Sequence, residues 1–203
     1  VALAGLLAAP RPADSQAVDV FLNVMAGGAK KLNIVIPEFT LVTGRDTQGL
    51  VKKIPDVAGA DLKFSALFSV VSGEPPLPAD DPQALKQVLT ESAARGAPAT
   101  LHGLLTLKGD RAEAEMRLYD LTNPEQRLIA TKRFDLPAAD GRRLAHKIAD
   151  EVVYQFTGEP GIADTKIAYA SGNVQTKELF AMDYDGAGRV RCRGGATAGW
   201  LHD

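Results

Sequence analysis

A single cysteine, Cys192, occurs in 203 residues. That excludes an internal disulfide, a CxxC redox pair and a thiolate cage around zinc. Aromatic residues make up only 6%, and no apolar run approaches the roughly 20 residues of a membrane-spanning helix. Positive charge is not in excess either: 23 Lys and Arg stand against 25 Asp and Glu, for a formal charge of −2. Lys30-Lys31, Lys52-Lys53 and Arg142-Arg143 are scattered pairs diluted by acids. A protein that binds nucleic acid by releasing counterions needs a basic face, and this pattern supplies none.

What is present is a chain of ordinary domain length with 45% hydrophobic residues, enough to bury a core. Val1 to Ala9 contains only Val, Ala, Leu and Gly and stops at Pro10, with a second proline at Pro12. Followed by the small-x-small triplet Ser15-Gln16-Ala17, this reads as the end of a secretory signal peptide, residues 1–17, cut after Ala17. A basic n-region is missing, so the expectation is a chain that begins partway through its signal.

Two β-rich runs follow, Val18 to Val24 and Leu32 to Ile36, separated by Gly27-Gly28 and closed by Pro37. Asp46 to Leu67 has helical spacing, with Pro55 expected to start or kink the helix rather than sit inside it. Phe68 to Val71 reads as a short buried strand. Asp81-Pro82 through Gly96 is a helix with its punctuation written out: an Asp cap, a proline in the first turn and a glycine beyond the end. Thr100 to Leu107 and Arg111 to Tyr119 flank Gly109-Asp110, a tight-turn dipeptide. In the second arm Ala112, Ala114, Met116 and Leu118 alternate with charged residues, which puts one face on a core. A third strand, Arg127 to Phe134, completes a meander.

Leu144, Ile148, Val152 and Phe156 recur every four residues, with Arg142, Arg143, Lys147, Asp150 and Glu151 on the other side. This predicts an amphipathic helix, ended by Gly158, with its polar side and His146 in water. The fold class expected is α/β, a mixed sheet of about five strands flanked by helices over residues 18–161. Lys166 to Ala170 and Lys177 to Met182 then read as strand-turn-strand, ending in Asp183-Tyr184-Asp185-Gly186. This looks like half of a propeller blade, residues 162–186, which cannot satisfy its own edges.

Catalytic and metal signatures are missing. His102, His146 and His202 have no metal-ligand spacing. Asp183-Tyr184-Asp185 opens like a calcium loop, but the twelfth position is Gly194 instead of a bidentate Glu, so the acids read as a turn with Gly186 at positive φ. Gly186-Ala187-Gly188 lacks the third glycine of a dinucleotide loop, Arg191 standing there, and Ser171 lacks a Gly-x-Ser-x-Gly elbow. No metal, cofactor or catalytic residue is expected.

The stretch Thr157-Gly-Glu-Pro-Gly-Ile-Ala-Asp-Thr-Lys-Ile-Ala-Tyr169, followed by Lys177-Glu-Leu-Phe-Ala-Met-Asp-Tyr-Asp-Gly186, resembles the junction between the N-terminal α/β domain and the first blade of the TolB family of the Tol-Pal system. Upstream order agrees: Val18 to Val24, Leu32 to Phe39, Ala58 to Ser65, and Gln155 to Gly158 closing the last helix. The resemblance implies a TolB-type β-propeller after the α/β domain. It also implies a non-enzymatic periplasmic adaptor that binds TolA and Pal, maintains the outer membrane and supports its constriction in division.

Carried over, Val18, Asp19, Val20, Phe21, Leu22, Asn23 and Val24 would be the TolA contact, an alternating strand able to complete a partner's sheet edge. The same residues read equally as the first strand of the domain's own sheet. Residues 187–203 depart from the family pattern, and a reading-frame slip or truncation near Gly188 is the expectation. Two alternatives stand beside the adaptor: the N-terminal piece of a propeller-bearing serine peptidase, and a free-standing ligand-binding α/β domain.

Overall fold

The computed structural model describes residues 31–122, 125–173 and 177–192. Expectations for Val18 to Val24, for cleavage after Ala17 and for residues 193–203 lie outside them.

Among the described residues, six strands form one mixed sheet. β1 (Leu32–Ile36) lies between β3 (Phe68–Ser72) and β4 (Ala99–Lys108), parallel to both, and β5 (Arg111–Asp120) and β6 (Arg127–Pro137) extend the sheet antiparallel. β2 (Thr40–Thr43) pairs parallel with the second half of β4, where Thr40 faces Leu104. The expected mixed α/β sheet is therefore present with one strand more. β2 carries no sequence signal because it buries no alternating face, and Leu41 and Val42 are exposed. β3 was expected to be buried; it is an edge strand, with Phe68 buried and Val71 exposed.

The β4–β5 hairpin is in the expected register, Lys108 opposite Arg111 across the Gly109-Asp110 turn, with Gly109 at φ 60°. Successive residues of a strand point to opposite faces, and both faces are used. Ala112, Ala114, Met116 and Leu118 join the main core with Ile34, Ile36, Leu101 and Leu105. Helices α1 (Leu50–Phe64) and α3 (Gly141–Thr157) close that face through Ile54, Ala58, Leu62, Leu144, Ile148 and Val152. Tyr119 faces the other way and packs with Leu121, Leu77 and Leu89 of helix α2 (Pro82–Ala94). α2 starts where expected, the Asp81 carboxylate accepting from the Gln83 and Ala84 amides at 2.9 and 3.0 Å.

α1 corrects two expectations. It begins at Leu50, and the Asp46 carboxylate caps it by accepting from the Leu50 and Val51 amides, both at 2.9 Å. It ends at Phe64, since Ala66 at φ 64° turns the chain into β3. Pro55 lies inside the helix and is buried. A proline there leaves the carbonyl four residues earlier without its donor; that carbonyl, Val51 O, accepts the Phe39 amide at 2.8 Å instead.

Beyond α3, strands β7 (Lys166–Gly172), β8 (Lys177–Asp183) and β9 (Val190–Cys192) form a separate antiparallel sheet. β9 adds a third strand to this sheet, Val190, Arg191 and Cys192 pairing with Ala181, Phe180 and Leu179. Across this sheet the Tyr169 and Phe180 rings stack at 5.6 Å, with the Arg189 guanidinium 4.5 Å from the Phe180 centroid. The sheet is open, its three strands matching the opening of a blade. Among the described residues, no helix is long and apolar enough to cross a membrane.

Candidate functional site

The side of α3 expected in water is where the blade docks. α3 presents Arg142, Arg143, His146, Lys147 and Asp150, one turn apart in two rows, because residues three and four apart share a helix face. Asp150 fixes the linker: its carboxylate accepts from the Ala163 and Asp164 amides at 2.6 and 2.9 Å. Gly161 allows the chain to pass this close, since a Cβ there would sit 2.2 Å from Asp150 Oδ1 and 2.5 Å from its Cα. Arg143 and Lys147 both pair with Asp164, at 3.3 and 2.8 Å.

The Asp183–Gly186 turn closes the other side. The Gly186 amide donates to the Asp183 carbonyl at 2.9 Å, with Gly186 at φ 84°, as its sequence predicts. Arg142 pairs with Asp185 and lies 3.7 Å from Asp183, which Lys166 also engages. Between the two acids Tyr184 points into the seam, its ring edge-on to Phe64 of α1 at 4.9 Å. A gap of about 20 Å³ remains, lined by Asp61, Ala149, Ile162 and Tyr184 among others, enough for one water.

Beneath this layer His146 Nδ1 and Asp61 Oδ2 of α1 are hydrogen-bonded at 2.7 Å, the two residues being 4% and 2% exposed. The expectation of a solvent-facing His146 is therefore wrong. Periodicity puts His146 on the flank of α3's apolar stripe; α1 and the blade turn, distant in sequence, bury it. His146 Nε2 and Asp61 Oδ1 are buried without a hydrogen-bond partner among the described residues. Burial opposes the charged imidazole, but the Asp61 hydrogen bond, the Asp61 charge, and Asp185 and Asp183 beyond outweigh it and raise the pKa above 6.5. Burial likewise raises Asp61 despite its bond to His146. Burial works against the Asp185 carboxylate too, yet the Ala187 amide and Arg142 hold its pKa below the usual value.

His146, Asp183 and Asp185 bring one ligand-type atom each within 4.8 Å of one another. Arg142 and Lys166 already engage both carboxylates, so side chains supply the positive charge here. The arrangement can hold two units together and exchange a proton. His102 lies in β4 as expected, buried and far from this seam on the α2 side of the sheet. Neither Asp61 nor Arg142 was singled out from the sequence, and the only local signal was a run of charges on one side of an amphipathic helix.

The family model for the TolB amino-terminal domain matches residues 20–128. The Tol-Pal system protein TolB of Syntrophotalea carbinolica is 31% identical over 182 residues, 86% of this chain and 41% of that protein. The protein of that name from Geobacter sulfurreducens is 30% identical over 187 residues, 91% of this chain and 42% of the relative. For that of Gluconobacter oxydans the identity is 32% over 211 residues, 98% of this chain and 42% of the relative. The crystal structure of TolB from Acinetobacter baumannii shares the fold, with a TM-score of 0.62 and 23% identity, covering 80% of this chain and 38% of that one. The chain spans about two-fifths of the length of these curated relatives, and they are named for a system, not for a reaction. On the match of the amino-terminal domain to more than half of its length, the chain belongs to the TolB family.

Proposed function

We propose that this chain is the N-terminal part of a non-enzymatic periplasmic adaptor of the Tol-Pal system, one that binds TolA-like and Pal-like proteins. Through them it acts on outer-membrane integrity and on invagination during division. Family membership carries the reading: the matched region, residues 20–128, covers the first five strands of the α/β sheet. The open three-stranded blade is in keeping with a propeller whose face takes a Pal-like partner. Val18 to Val24, apolar in sequence apart from Asp19 and Asn23, is the TolA-type segment, suited to adding a strand to a partner's sheet while Phe21 fills a pocket.

The test compares the chain beginning at Val18 with one beginning at Met25, each titrated against the C-terminal domain of a TolA-like protein by calorimetry. Loss of the segment is expected to weaken binding by about tenfold or more, roughly 1.4 kcal/mol. Equal binding by both, or none by either, overturns the assignment to Val18 through Val24.

A further inference from the structure

We propose that the seam between the α/β domain and the blade is a pH-responsive joint, in which a proton on His146 holds the Asp183–Gly186 turn against α1 and α3 and its loss releases the turn. The geometry carries this. His146 spends Nδ1 on Asp61, so in the neutral ring Nε2 bears a lone pair. Nε2 is buried without a hydrogen-bond partner, and the ring lies within reach of the carboxylates of Asp183 and Asp185. An imidazolium within 4.8 Å of two carboxylates attracts them where a neutral ring does not, and the low-dielectric seam magnifies the difference.

The charges facing the imidazole from each packed element sharpen the point. α1 contributes Asp61. α3 contributes Arg142, whose guanidinium goes to Asp185 and Asp183, and Asp150, which is spent on the linker amides. The linker contributes Asp164, matched by Arg143 and Lys147. The blade contributes Asp183, Asp185 and Lys166. Five carboxylates thus meet four fixed cations, and the imidazolium supplies the missing positive charge. Tyr184, raised above its usual value of 10 by burial and by Asp61 and Asp150, stays neutral while His146 titrates.

The sign follows from His146's raised pKa. Of the groups that raise it, Asp183 and Asp185 belong to the turn. The proton therefore contributes to docking below the undocked value, which Asp61 still sets, and that contribution is lost as pH rises through the docked value, above 6.5. Release is therefore expected on the alkaline side of 6.5, and acidification tightens the joint.

The experiment is an NMR titration of the whole chain from about pH 5.5 to about pH 9, following the His146 ring protons and the Phe64–Tyr184 ring cross-peaks. The expected result is an imidazole transition above 6.5 and cross-peaks that fade over the same range, by about threefold or more. In His146→Gln the cross-peaks should be weak at every pH, and in Asp61→Asn the imidazole transition should move down. A wild-type His146 that titrates at or below 6.5, or cross-peaks that persist through its transition, overturns the proposal even if neither variant folds. An unchanged pH dependence in His146→Gln also overturns it.

Discussion

The Phe39 amide donates to the Val51 carbonyl at 2.8 Å, taking the acceptor that Pro55 cannot serve from within α1. A proline inside an ordinary helix costs about 3 kcal/mol, in part through that unmade bond. Here the bond is remade from the segment before β2. Pro55→Ala is therefore expected to stabilise the chain by no more than about 1 kcal/mol, as read by urea denaturation. A gain near the full helix-interior value would show that Phe39 does not compensate.

Phe39 has a second role, in packing. Its ring lies flat over Gly103 of β4, where a Cβ would come within 2.2 Å of Cδ1 and Cε1. Gly103→Ala should destabilise by about 1–3 kcal/mol through overpacking. Combining it with Phe39→Leu should cost less than the two single changes added together, because both act on one contact. Additive costs in the double-mutant cycle would contradict this.

His102 is buried behind α2. Burial, then the charge of Arg117, push its pKa down to about 4, with the Leu77 carbonyl and Glu115 offsetting only part. A depressed histidine contributes stability that is complete above 6.5 and lost as pH falls toward the folded value. Between about pH 6.5 and about pH 4 the loss should be about 3 kcal/mol, and His102→Leu should flatten that limb of the stability curve. An unaltered acid limb in the variant would rule the attribution out.

Asp150→Ala removes the acceptor for the Ala163 and Asp164 amides, both part-buried. Leaving such donors unmet costs about 1–3 kcal/mol, and the effect should be local. Amide exchange is expected to accelerate at Ala163 and Asp164 while the β4–β5 hairpin keeps its protection. Uniform acceleration across both would mean that the linker is not an independent unit.

Local pattern carried much of the fold. The β5 alternation, the Gly109-Asp110 turn and the punctuation of α2 each involve neighbours within a few residues, and the structure reproduces them. β2 left no such trace, because its placement depends on β4, some sixty residues later, and not on an apolar face of its own. The seam was legible only as a junction motif between Thr157 and Gly186. Its chemistry was not, since Asp61 and His146 stand 85 residues apart.

By itself the sequence determined the α/β class, the meander, the helices α2 and α3 on either side of it in the chain, and the family the junction resembles. These follow from periodicity and turn chemistry, which act along the chain. The tertiary structure alone decided that Pro55 sits inside a helix, that the charged side of α3 is a docking face, and that His146 is buried. Each depends on a partner from a distant element: an amide for the orphaned carbonyl, a blade turn for the charges, a carboxylate for the imidazole. Burial of a polar group is settled by what packs over it, and no local pattern encodes that.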